Sequence, residues 1–356
     1  MRLTNDQKNT IEHFRRRPGI LVAGRDGSNS GDDIYTVIRS ALDYASAESG
    51  KEVDLKLEDG AVCMRVYGTG KESENELSRV IFGPLHYGRM DTESYVKMRR
   101  MTYYTDYPIY FINILSETFK FTSFMNGRFT TVNCCNGLPV RVKEGTTAEK
   151  DGIEISFKLD KEYFKGYYSF NLEHVKKAIK YSVARNEGLK VSFEGEEFLS
   201  DNGLLGLLKD EIDADPLYEP IHLIGDGIEL AFTHVKEPIT EIVSFCNTRF
   251  TMFGGCHKAA LEKAFPKFLM SLCNARMPYK DVMKGLVCYF GINAEDAEFG
   301  PHHELTTDCI SKYDSGYNRV NGPKISDILH NFLEEHTFIK RADKTNRSSN
   351  LTTYFC

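Results

Sequence analysis

The sequence predicts an α+β chain of two domains, and three observations carry that expectation. An apolar stripe at helical spacing, from Ile34 to Ala45, leads into two period-two strands joined at Glu58-Asp59-Gly60. Consecutive strand-like runs then fill 120–158, with hairpin turns at Asn126-Gly127 and Asn136-Gly137. Beyond Pro216 a second set of strands precedes one long helix, the pattern of a smaller α+β domain.

Taken in order, 10–14 reads as a short helix stopped by Arg15-Arg16-Arg17-Pro18-Gly19, since proline and glycine do not continue it. The arginine triplet is either a solvated helix end or a phosphate-facing patch, and charge alone favours the first. Residues 20–24 form a brief apolar run into the turn Asp26-Gly27-Ser28. Ile34, Val37, Ile38, Ala41, Leu42 and Ala45 then line one face of a helix that Ser30 or Asp32 can cap, with Arg39, Ser40, Asp43 and Tyr44 on its margin. Residues 53–57 and 62–66 alternate as half-buried strands. Gly68-Thr69-Gly70 lets the backbone leave the second strand at dihedrals that other residues avoid, and Ser40 and Asp43 face that exit.

The segment 72–100 is polar and mixed, with helix around 77–82, and Tyr103-Tyr104-Thr105-Asp106-Tyr107-Pro108 contains no glycine. Helical spacing returns over 109–119. Strands are predicted at 120–124, 127–133, 138–143 and 152–158, a helix at 171–186 ending at Gly188, an edge strand at 190–193 and a helix at 202–211. In the second half, strands at 221–224, 228–233 and 242–247 precede Gly254-Gly255 and a helix over 257–274. A strand at 283–289 and a last helix at 325–335 follow. The expected domains are 1–205 and 206–340, with 341–356 a tail whose Asn, Ser and Thr content predicts disorder.

Composition narrows the function classes. With 356 residues, 41% hydrophobic and 27% charged, the chain is long enough for two cores and polar enough for a water-exposed surface. It has no apolar run of about eighteen residues and no apolar segment behind Met1 of the kind that exports proteins, so a cytoplasmic protein with no membrane contact is expected. Nine cysteines without a CxxC or a histidine-spaced pattern predict buried reduced thiols rather than zinc ligands or disulfides. His302 and His303 beside Glu304 have the spacing of a solvated turn, and no metal site is assigned. A net charge of −6 gives no overall attraction to nucleic acid or anionic lipid, so any DNA contact needs a local basic patch.

At this point several stretches resemble one family. Arg15-Arg16-Arg17-Pro18-Gly19 is similar to the arginine-proline-glycine entry of the type IIA topoisomerase B subunits, DNA gyrase B and topoisomerase IV B. Ile112-Asn113-Ile114-Leu115-Ser116-Glu117 resembles their valine-asparagine-alanine-leucine-serine segment. Phe157-Lys158-Leu159-Asp160 and Asn186-Glu187-Gly188-Leu189-Lys190 resemble the strand and the helix end that close their ATPase domain. Ser244-Phe245-Cys246-Asn247-Thr248 with Gly254-Gly255-Cys256-His257-Lys258-Ala259-Ala260-Leu261 is similar to a run in their transducer domain. Order and spacing hold from about Ile11 to about Glu335. The resemblance implies a GHKL-type ATPase sandwich followed by a ribosomal-S5-like transducer domain. No TOPRIM-type segment or DNA-cleaving tyrosine domain follows, so the chain is not expected to cut DNA by itself.

The chemistry departs from the family. With Ala45 as anchor, the family's catalytic glutamate falls on Thr36, which is no general base at neutral pH, and losing a positioned base removes a factor of about 10²–10⁴ in rate. Its magnesium-binding asparagine falls on Ser40, whose hydroxyl still suits a metal. Its adenine-reading aspartate falls on Val66, and the missing acceptor costs about 1–3 kcal/mol. Gly68 and Gly70 remain, and Asp43 and Asn113 are carried over by position with Ser40 and Val66 as nucleotide-site residues. The family's glycine-rich phosphate lid aligns with 103–108, where bulky side chains stand. Its phosphate-reaching lysine loop aligns with Gly300-Pro301-His302-His303-Glu304, which has no lysine.

These departures predict a pseudo-ATPase, with no cofactor assigned. It would act in DNA topology by association, as a homodimer or with a type IIA topoisomerase subunit, and the tyrosines at 103, 104, 107 and 110 would fill the pocket or simply cover the sheet. The alternative is a divergent working subunit that binds ATP and Mg, with Asp32, Asp33 or Asp43 as base. Lys258, Lys263 and Lys267, followed by Arg276 and Lys280, are candidate DNA contacts through the transducer, against the plainer reading of a solvated helix face.

Overall fold

A computed structural model describes residues 3–16, 33–70, 77, 80–82, 109–164, 170–225, 227–274, 276–294, 297, 299, 304–313 and 319–342. The chain divides into two compact units between Asp201 and Asn202.

The first unit contains α1 (Asn5–Arg16), α2 (Asp33–Glu48), β1 (Glu52–Glu58), β2 (Ala61–Tyr67), α3 (Ile109–Leu115), β3 (Ser116–Met125), β4 (Arg128–Cys135), β5 (Leu138–Thr146), β6 (Gly152–Leu159), α4 (Leu172–Arg185), β7 (Lys190–Phe193) and β8 (Glu196–Leu199). Its strands form one eight-stranded sheet in the order β5-β4-β3-β6-β2-β1-β7-β8. Every pairing is antiparallel except β1 with β7. Alternate residues of the central strands, such as Val53, Val62, Met64, Phe121, Ile155 and Val191, are fully buried on one face. The apolar stripe of α2 joins them in one core, each such side chain contributing roughly 1.5–3 kcal/mol by leaving water.

Hairpin chemistry sets the register. Asn126-Gly127 and Asn136-Gly137 both have positive φ at each central residue, which a two-residue type I′ turn requires and which asparagine followed by glycine tolerates best. The Asp59-Gly60 and Glu194-Gly195 turns are built the same way.

Two expectations are corrected here. The 190–193 segment is no edge strand: β7 lies between β1 and β8, and the hairpin that places β8 outside it turns on Glu194-Gly195, where glutamate hid the signal. The helix expected over 109–119 stops at Leu115. Ser116 Oγ donates to Ile112 O at 2.6 Å, and the chain from Ser116 onward pairs with β6, so sheet pairing overrides helical spacing.

The second unit holds α5 (Gly203–Glu211), β9 (Ile221–Gly225), β10 (Ile228–His234), β11 (Glu241–Cys246), β12 (Arg249–Phe250), α6 (Cys256–Cys273), α7 (Tyr279–Met283), β13 (Leu286–Ile292), β14 (Cys309–Tyr313), β15 (Arg319–Lys324) and α8 (Ile325–Ala342). The main sheet has the order β12-β11-β13-β10-β9, with β11 and β13 parallel. All seven residues of β13 are buried, as in a strand covered on both faces. Phe265 and Phe268 of α6 meet Phe232 edge-on, and α8 adds Leu329 and Phe332 to the same core.

The strand expected at 283–289 begins only at Leu286. A Cβ at Gly285 would lie 2.3 Å from Val235 O, and its φ of +76° turns the chain out of α7 before β13 starts. The β14–β15 hairpin was not anticipated, and the last helix runs past residue 335 to Ala342. The tail from Lys344 lies outside the described residues.

Candidate nucleotide-site region

The margin of α2 carries the residues at which the family's chemistry was expected. Thr36, Ser40 and Asp43 are 7%, 1% and 1% exposed. Asp43 Oδ1 accepts hydrogen bonds from Ser182 Oγ at 2.9 Å and Asn186 Nδ2 at 2.8 Å, and Asn186 Nδ2 also donates to Ser182 O. A carboxylate buried this deeply requires such donors. Its geometry ties α2 to the end of α4. Neither Ser182 nor Asn186 was among the candidate site residues. The signal for Asn186 lay in its place just before the glycine at the helix end.

Val66 has no exposed surface and stands opposite Ile153 of β6, equally buried, in the apolar core. Gly68 and Gly70 serve backbone contact: a Cβ would lie 2.0 Å from Ser49 O at the first and 2.2 Å from Phe124 O at the second. Thr69 N donates to Ser49 O at 2.7 Å between them. Asn113, also fully buried, donates through Nδ2 to Ile81 O and Gly137 O and so ties α3 to the β4–β5 turn. Its Oδ1 meets no partner among the described residues. Tyr110 is buried beside Phe111, and burial raises the pKa of its hydroxyl. The residues 103–108 and the pair His302 and His303 lie outside the described residues, as do Asp32 and the side chain of Asp33.

Arg15 overturns the reading of a solvated helix end. Its Nη1 donates to Ile114 O at 2.7 Å and Ser116 O at 3.3 Å, and its Nη2 to Asn136 Oδ1 at 2.8 Å and Asp160 Oδ2 at 2.6 Å. The guanidinium also lies 5.0 Å from the centroid of the Tyr163 ring. Arg16, by contrast, pairs with Glu12 in solvent. Three of the stretches that carry the family resemblance therefore meet at one side chain.

In the second unit, the run from Ser244 to His257 is also internal. Ser244 Oγ and Thr251 Oγ1 are 2.7 Å apart, and His257 Nε2 lies 3.2 Å from Thr251 Oγ1 while its ring stacks on Phe290. Burial, with Lys258 adding to it, pushes the His257 pKa down to about 3, and burial lowers that of His234 as well. Folded His257 is therefore neutral above about pH 3 and His234 is biased the same way, whereas the unfolded chain takes up protons on both below the ordinary histidine pKa of 6.5. Stability held above that pKa is lost as pH falls toward 3, by roughly 3–5 kcal/mol for His257. Urea midpoints of the second unit should drop between pH 7 and pH 4.5, and more shallowly in His257→Gln. Equal midpoints at the two pH values would refute this.

Lys258 is half-buried, with its chain against Gly254, whereas Lys263 and Lys267 are exposed one turn apart on α6. No group of three or more potential metal ligands occurs among the described residues. No helix there is long and apolar enough to cross a membrane.

The arrangement is the mixed helix-and-sheet fold of the GHKL ATPase domains of gyrase B and topoisomerase II. The gyrase B protein of Myxococcus xanthus superimposes with a TM-score of 0.71 at 18% identity, covering 97% of this chain and 99% of that one. The ATPase region of Saccharomyces cerevisiae topoisomerase II does so with 0.63 at 16%, covering 96% and 98%. In sequence, the topoisomerase IV B protein of Borreliella burgdorferi is 28% identical over 308 residues, 82% of this chain and 49% of that protein. The DNA gyrase B protein of Staphylococcus epidermidis is 23% identical over 322 residues, 81% of this chain and 50% of its own length. No protein-family profile matches the chain. The chain is similar in sequence to the type IIA topoisomerase B subunits, and it spans about half the length of the curated relatives it matches.

Proposed function

We propose that this chain acts in DNA topology as a gyrase B or topoisomerase IV B-like protein that no longer hydrolyses ATP and works by association, with a second copy or with another type IIA topoisomerase subunit. The observation that carries the reading is Asp43. It is the acidic group nearest the family's base position among the described α2 side chains, and its carboxylate is buried and held by Ser182 and Asn186. A general base must reach the proton it removes.

The residues present do not fit magnesium-bound ATP. Thr36 is no base, Ser40 is 1% exposed, and Val66 beside Ile153 offers an adenine amino group no acceptor. Gly68 and Gly70 back onto the Ser49 and Phe124 carbonyls, which leave no room for a side chain at either position. In the family ATP drives closure of a gate, and a switch without a differential ligand has nothing to shift it. A scaffold kept without its switch is suited to holding one state.

A thermal-shift titration with magnesium and a non-hydrolysable ATP analogue tests this directly. Saturation at about a hundred times Kd would stabilise a binding protein by about 2.7 kcal/mol. No shift is expected here, and a saturable one would refute the loss of the site. Sedimentation alone and with gyrase B tests association, and a protein that stays monomeric and ignores gyrase B would refute that half.

A further inference from the structure

α6 and α8 leave an open groove of about 730 Å³ between them on the second unit. Ala264 and Phe268 contribute to its floor. One wall, from α6, carries Lys263 and Lys267, while the other, from α8, carries Asp327 and Glu334. His330 Nε2 lies 3.2 Å from Glu334 Oε1 on the same helix. Neither lysine has an ion-pair partner among the described residues, although each is exposed at the groove.

We propose that this groove is a self-association surface that takes the same groove of a second copy, with a two-fold axis running along it. An isologous interface must be self-complementary. A groove with one basic and one acidic wall meets that condition in only one orientation. An axis along the groove sets each α6 over the partner's α8 at the same height, so that Lys263 and Lys267 face carboxylates from both sides. An axis across the groove would set lysine against lysine. The four helices then form a bundle with the apolar floors inside and the ionic pairs at the seams. Exposed ion pairs add little affinity singly but decide orientation and exclude wrong partners.

This surface is separate from the α2 region on which the proposed loss of hydrolysis rests. It also gives the exposed lysines a use other than DNA.

Sedimentation of the full chain at low salt is expected to show a concentration-dependent dimer that weakens as salt screens the seams. The double variants K263E/K267E and D327K/E334K should each lose self-association by about tenfold or more. Mixed in equal amounts, they should recover a heterodimer, because one then has two acidic walls and the other two basic ones; recovery also shows that both variants fold. A wild type that stays monomeric, variants that dimerise as it does, or a mixture that fails to associate would each overturn the inference. Wild-type dimers that persist in both variants would leave the association reading standing and remove only the groove. Loss of duplex-DNA binding in K263E/K267E with no change in mass would assign the lysines to nucleic acid and overturn it too.

Discussion

Purified protein supplied with ATP and magnesium is expected to release phosphate no faster than buffer, and Asp43→Ala is expected to change its stability while leaving that background untouched. A missing base alone lowers turnover by about 10²–10⁴. On the proposed reading, the family's base position falls on Thr36, and the glycine-free sequence 103–108 aligns with a phosphate lid that needs bare backbone. If Asp43 were the base, its removal would abolish turnover. As a buried acceptor, its removal instead strands the Ser182 hydroxyl, at roughly 1–3 kcal/mol, and takes one of two acceptors from the half-buried Asn186 amide, which keeps its bond to Ser182 O. For a unit of this size that lowers the thermal midpoint by roughly 2–4 °C per kcal/mol. A phosphate-release assay beside a melting curve reads both, and turnover that disappears in Asp43→Ala would refute the pseudo-ATPase.

The second large effect is expected at Arg15. Its guanidinium joins α1 to the end of α3, the β4–β5 turn and the residue after β6, with only 15% of its side chain and 13% of that of Asp160 exposed. Arg15→Met keeps the apolar stem but leaves the Asp160 carboxylate without its cation. Breaking a buried pair from one side costs about 3–5 kcal/mol, and the residual exposure here reduces that to about 3 kcal/mol. Arg15→Lys should recover only part of the loss, because an ammonium cannot reproduce the planar fork that reaches four acceptors. Urea unfolding of the first unit measures it. An Arg15→Met midpoint within error of wild type would show that the clamp does not hold the unit together.

Local rules read from the chain carried much of the architecture. The α2 stripe and the period-two strands followed from apolar spacing, and the Asn-Gly turns followed from positive φ at adjacent positions. These are short-range properties, set by neighbours within a turn or a hairpin. The likeness to topoisomerase B subunits was carried by short stretches, and its source became physical only in three dimensions: Arg15, the pair Ile114 and Ser116, and Asp160 come from three separate motifs and share one hydrogen-bonded cluster.

What the chain could not announce was the partner of each polar residue. Asp43 reads as a spare acid on a helix margin, and only the packing of α4 on α2 gives its carboxylate to Ser182, 139 residues away. Gly68 and Gly70 read as a turn, and only the approach of the Ser49 and Phe124 carbonyls explains why no side chain fits there. The same holds for Lys263 and Lys267, which acquire an acidic wall across a groove when α8 returns beside α6. Spacing determines which face a residue occupies. Which group waits opposite is decided by long-range contacts, because a buried charge or hydroxyl takes its meaning from whatever satisfies it.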